Sequence, residues 1–131
     1  MDPASAVADL TEISAQVRSV VVFEGDGSVL ASTWDAGEGA ARLARIGRGL
    51  LAAGAEVPLG DHRRLTQVEV VLASGSVFVV SDGDRGLAAT AAAGSPSGLV
   101  LYDLRSCLRA LGEPSEELAA TPSEQPSAAD A

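Results

Sequence analysis

Few residues in this chain could carry out chemistry. Acid–base catalysis needs two groups of matched pKa held at hydrogen-bonding distance, yet His62 is the one histidine and Cys107 the one cysteine in 131 residues. His62 stands between Asp61 and Arg63 in a charged connection, where it reads as a solvated loop residue. Cys107 falls on the apolar side of a helical repeat and reads as an inert buried thiol. A single cysteine excludes an intrachain disulfide and a thiolate metal cluster, and it points to a reducing compartment. The run "SDGDRG", residues 81–86, has the first two acidic positions of a calcium loop but no closing bidentate carboxylate, so it reads as a turn. Gly-x-Ser-x-Gly, Ser-x-x-Lys and His-Glu-x-x-His are all missing. This supply does not make an enzyme, and no catalytic residue, metal or cofactor is assigned.

A glycine-rich centre in "SVVVFEGDGSVLAS", residues 19–32, could hold a phosphate or merely reverse the chain. A phosphate loop leads into a helix start with Lys and Ser/Thr. Here Gly-Asp-Gly joins the β-branched run Val20, Val21, Val22 and Phe23 to a second strand-like run, residues 29–34, which predicts a hairpin.

The remaining chemical signal is a stripe of arginines. Asp35 and Glu38 have the spacing of a capping box, which predicts a helix from residue 39 to about 53. On its wheel Leu43, Ala44, Ile46, Gly47, Leu50 and Leu51 share one side and Arg42, Arg45 and Arg48 the other. On a protein of net charge −9, such a stripe can meet a carboxylate-rich partner or a phosphate; an ordinary solvated face has the same appearance. Gly47 and Gly49 cost helix stability and mark close approach of another backbone, either a partner's or the sheet beneath.

These residues need elements to position them. Val7, Leu10, Ile13 and Val17 predict a first helix over residues 2 to about 18, with Asp2 as N-cap and Pro3 in the first turn. After "GAEVPLGDHRR", the runs "RLTQVEVVLA", "SVFVVSD" and "GLAATAAA" predict an antiparallel meander turning at Ser74-Gly75 and at "DGDRG". The alanine-rich last run is a poor strand by propensity, and its neighbours' need for a partner makes it one. A closing helix puts Val100, Leu101, Leu104, Cys107, Leu108 and Leu111 on one face and stops at Gly112. The Glu-, Pro-, Ser- and Ala-rich remainder, residues 113–131, is expected to be a disordered acidic tail after a single domain of residues 1–112.

An apolar fraction of 47% with 21% charged residues is a globular composition. The acidic balance excludes a nucleic-acid backbone as partner. The start "MDPASAVADLTEIS" lacks the basic and apolar regions of a secretory signal, and no run approaches a spanning helix. No membrane contact is expected, and the location is expected to be cytoplasmic.

The order helix, hairpin, amphipathic helix, meander, helix, carried by "SVVVFEGDGSVLAS", "VEVVLASGSVFVVSDGDRGLAATA" and "SGLVLYDLRSCLRAL", resembles the roadblock family of dynein light-chain and GTPase-regulator domains over residues 6 to about 111. The resemblance implies an α+β fold of profilin-like or longin-like type, with a five-stranded antiparallel sheet sandwiched between helices. Family members typically form homodimers in which the middle strands, here around residues 65–73, join into one sheet and the second helices lie side by side. Carried over, the strand contacts are Leu65, Val68, Val70 and Leu72, and the helix contacts are Leu43 and Gly47. The sequence offers little lysine or proline to blunt that edge. Bacterial members usually work with a small Ras-like GTPase, and a gliding-motility relative stimulates hydrolysis as a dimer without an arginine finger. The implied platform is Arg42, Arg45, Arg48 and Gly49. The alternative function is a small-molecule sensor on the same scaffold, which needs a sizeable apolar pocket from a chain with 3% aromatic residues.

Overall fold

The structure is a computed structural model that describes residues 1–34, 38–58 and 67–112. Its elements are α1 (Pro3–Ile13), β1 (Val17–Glu24), β2 (Val29–Ser32), α2 (Gly39–Ala55), β3 (Gln67–Leu72), β4 (Gly75–Asp82), β5 (Arg85–Ala92) and α3 (Ser97–Gly112). The five strands form one antiparallel sheet in the order β2-β1-β5-β4-β3. This is the expected α+β architecture. No helix among the described residues is long and apolar enough to cross a membrane.

Asp2 starts α1 from an extended conformation, and its carboxylate accepts the Ser5 N–H at 2.8 Å, with Pro3 filling the first turn. The helix is shorter than its apolar spacing predicts. Ser14 turns to an extended backbone while its N–H still reaches the Leu10 carbonyl, and Val17, instead of continuing the helix, opens β1 opposite Ala91. Ile13, placed by that spacing on the buried side, is 71% exposed.

The Gly-Asp-Gly stretch reverses the chain. The Gly27 N–H donates to the Glu24 carbonyl, the Glu24 N–H to the Ser28 carbonyl, and the Ser28 N–H to the Asp26 carboxylate, each at 2.9 Å. Gly27 has φ +97°, the left-handed geometry of a three-residue hairpin loop. The turn uses these N–H groups itself, so they are not a phosphate cradle. The second run is strand only as far as Ser32.

Alternation along the inner strands divides the core. Val20, Val22, Phe78, Val80, Leu87 and Ala89 face α1 and α3, whereas Val21, Phe23, Val79 and Ala88 face α2. β5, the weak strand by propensity, is the centre of the sheet, and Leu87, Ala88 and Ala89 are fully buried there. Small side chains suit a strand covered on both faces, and cross-strand pairing on each side overrides propensity. The β3–β4 hairpin turns at Ala73-Ser74, one residue earlier than expected, since Leu72 pairs with Gly75. Gly83, at φ +62°, turns "SDGDRG" between Asp82 and Arg85. On α3, Val100, Leu104, Cys107, Leu108 and Leu111 are buried and Leu101 partly so, as the wheel predicts.

Candidate interaction surfaces

Among the described residues α2 is the one helix on its face of the sheet. The helix starts from Glu38, an N-cap with no side-chain cap bond, and Asp35, the other residue of the expected capping box, lies outside the described residues. Gly39 opens the helix because the Trp34 indole occupies the space a Cβ would need. Leu43, Ala44 and Gly47 form the buried side. A Cβ on Gly47 would meet the Phe23 ring at 3.1 Å and the Ala88 methyl at 3.2 Å, so this glycine serves the helix's approach to its own sheet. Gly49 has nothing within 4 Å of its Cβ position.

Leu43 and Gly47, expected at a dimer contact, are therefore packed into the chain's own core, Leu43 at 6% exposure. Ile46, placed by the wheel on the buried side, is instead 45% exposed among the arginines. The stripe a single helix buries on a sheet is narrower than its apolar side.

Arg42, Arg45 and Arg48 are all exposed. Arg42 reaches Glu38 at 3.5 Å one turn away, an exposed pair that adds little stability. Arg48 leans over the β1–β2 turn, where a Cβ on Gly27 would come within 2.9 Å of its guanidinium. There the Ser28 N–H and hydroxyl, with a smaller contribution from Arg48, hold the Asp26 carboxyl below its ordinary value. That neighbourhood of Arg48 and Asp26 joins residues 22 apart and carries no sequence signal.

β3 forms one edge of the sheet, with no strand beyond it among the described residues. On one face its polar side chains are tied to α3: the Ser97 hydroxyl donates to the Glu69 carboxylate at 2.5 Å, and Arg105 donates to the Gln67 side chain. On the other face Val68 packs, half-buried, beside α2, with Val70 and Leu72 following at alternate positions. Leu72 is 53% exposed, and Val71, missed by the sequence analysis, is 71% exposed on the opposite face. Leu65 and His62 lie outside the described residues.

Chemistry within the fold is sparse. The Cys107 thiol is buried, donates to the Ala6 carbonyl at 3.5 Å, and is pushed up to about 11 by burial and, less, by Asp9. Among the described residues no group of His, Cys, Asp and Glu could hold a metal ion.

The sequence matches no protein-family model and no curated protein. The structure is similar to the roadblock/LC7 domain from Streptomyces avermitilis, with a TM-score of 0.77 over 86% of this chain and 96% of that chain at 22% identity. It is similar to MglB from Myxococcus xanthus, with a TM-score of 0.70 over 83% of this chain and 90% of that chain at 16% identity. LokiProfilin2, solved in complex with rabbit actin, follows at a TM-score of 0.58 and 14% identity, covering 82% and 92% of the two chains. With one helix on one face of a five-stranded sheet and two on the other among the described residues, matched over most of both chains, the protein has the roadblock/LC7 fold, an architecture it shares more distantly with profilin.

Proposed function

We propose that this chain is a roadblock-family scaffold, cytoplasmic and non-enzymatic, that pairs with a second copy of itself and binds a small Ras-like GTPase, biasing its nucleotide state. Residues 1–112 are the scaffold and 113–131 an acidic tail. The observation that carries this reading is the exposed face of α2, where Arg45, Ile46, Arg48 and Gly49 are exposed to solvent while α2 itself packs beside the edge strand β3.

The geometry favours a two-fold pair. An edge strand presents unsatisfied backbone N–H and C=O groups, and pairing with a copy of itself satisfies them. Antiparallel joining of two β3 edges would bring Val68, Val70 and Leu72 of both copies onto one face and set the two α2 helices next to each other above it. The arginines then form a shared basic surface on an acidic protein, suited to carboxylates of a partner. Leu43 and Gly47 support that pairing from beneath by fixing the height of α2.

The test is retention of a small GTPase by the full chain from cell extract, in parallel with GDP and a non-hydrolysable GTP analogue, with the mass followed by light scattering. A dimer that retains the GTPase in one nucleotide state is expected. Arg45→Glu with Arg48→Glu should abolish retention and leave folding intact. Leu72→Lys, at an exposed position, should give a monomer. A wild-type monomer retaining nothing would overturn the scaffold reading. The small-molecule alternative rests on depressions such as the one of about 340 Å³ beside Arg105 and Arg109, at the small end of the range for ligand sites.

A further inference from the structure

The helices α1 and α3 lie together on the face of the sheet opposite α2. Between them runs a groove of about 280 Å³ with buried Leu10 and Cys107 at its base. Ile13 on the α1 side and Tyr102 on the α3 side line it, yet they are 71% and 66% exposed. Leu99, one turn before Tyr102, continues the apolar stripe and is also exposed. Large apolar side chains grouped in this way on a surface mark an interaction site.

Charge selects the occupant. Asp9 on α1 and Asp103 on α3 both line the groove, Glu12 stands exposed next to Ile13 in the chain, and among the lining residues, Met1 included, there is no basic side chain. The nearest basic side chain on that stretch of α3, Arg105, is turned to Gln67 on β3. Residues 113–131 carry Glu113, Glu116, Glu117, Glu124 and Asp130 and no basic residue, so this segment would set carboxylates against carboxylates. The same groove of a second copy would do likewise, and an anionic membrane is repelled for the same reason. Both walls are helices, which offer no strand edge for an extended peptide.

We propose that the α1–α3 groove is a docking site for an amphipathic helix of another protein, with apolar residues at helical spacing seated between Ile13 and Tyr102 and Lys or Arg flanks pairing with Asp9 and Asp103. The 11 residues of α1 span about 16 Å, so the occupant contributes roughly three helical turns. The site lies across the sheet from α2, so it can be filled while α2 holds its own partner, and it stands whether or not that partner is a GTPase.

The probe is a synthetic helical peptide of about 18 residues with leucines on one face and lysines on its flanks, titrated into the isotope-labelled full chain and followed by amide NMR shifts. A scrambled peptide of the same composition, with its leucines spread round the helix, is the control. Shifts confined to α1 and α3 are expected. Ile13→Glu with Tyr102→Glu should weaken binding by roughly tenfold or more, while Ile46→Glu on the opposite face leaves it unchanged. Asp9→Asn with Asp103→Asn should weaken binding and flatten its salt dependence. Ile13 and Tyr102 are mainly exposed, and unchanged circular dichroism verifies that their variants fold. Equal binding of the scrambled peptide, shifts centred elsewhere, or affinity that survives Ile13→Glu with Tyr102→Glu would overturn the proposal. So would a mass that rises with concentration and falls back in that variant, because the occupant would then be this chain itself.

Discussion

The two faces of the sheet are built on different terms. Between the sheet and α1 and α3, Phe78 and Leu87 of the strands meet Val100 and Leu104 of α3, all fully buried, in a core that runs from Ala6 to Leu111. Under α2 the buried set is Val21, Phe23, Leu43, Ala44, Val79 and Ala88, with Leu50, Leu51, Val68 and Val77 only partly covered. α2 reaches all five strands but leaves Val68 on β3 and Val77 on β4 only partly buried. Cohesion is therefore concentrated on the two-helix face, and the one-helix face is free to present residues outward.

That contrast predicts unequal responses to truncation. Leu104→Ala, at a fully buried position, should cost about 3–5 kcal/mol, while Leu43→Ala, on the buried side of the single helix α2, should cost about 2–3 kcal/mol. Denaturant titration of both variants measures the difference. An equal or larger loss at Leu43 would refute the assignment of cohesion to the α1–α3 face.

A finer contrast lies within α2. Gly47→Ala sets a methyl at 3.1 Å from Phe23, and the strain of about 1–3 kcal/mol exceeds the propensity gain of about 1 kcal/mol. Gly49→Ala meets nothing within 4 Å and should stabilise by about 0.5–1 kcal/mol. Opposite shifts in Tm are expected for two glycines two residues apart. If Gly49→Ala also lowers GTPase retention, a partner's backbone comes close there.

The smallest effect concerns helix starts. The Ser5 N–H and hydroxyl hold the Asp2 carboxyl below its ordinary value of 3.8. A depressed carboxylate contributes stability above its unfolded pKa and loses it as pH falls through the folded one. Asp2→Ala should therefore lower Tm slightly at neutral pH, and the gap from wild type should close as the solution is acidified below 3.8. A gap that stays constant with pH would mean that the carboxylate is not the cap.

Much of this fold is legible in the residues. The buried positions of α3 follow the wheel, and the valine run of β1 marks a strand covered on both faces. What failed did so for local reasons. Val17 fits helical spacing as well as it fits a strand, and the competing extended conformation of Ser14 decides between them. Ala73-Ser74 and Ser74-Gly75 are equally plausible turns until the register with β4 is known. The arginine stripe is readable because it lies on one helix. The groove is not, because Ile13 and Tyr102 come from opposite ends of the chain and each belongs, by spacing alone, to an ordinary amphipathic helix.

Phe23 has a consequence for how this protein can evolve. Its ring occupies the space above Gly86, where a Cβ would come within 2.6 Å, and it also limits Gly47. At Gly86 a side chain requires the ring to move, at Gly47 it requires the ring to give by a few tenths of an ångström, and shrinking the ring alone opens a void. The three positions are sterically coupled, so related sequences that keep α2 at this height should hold all three together, and those that replace Phe23 should change the glycines with it.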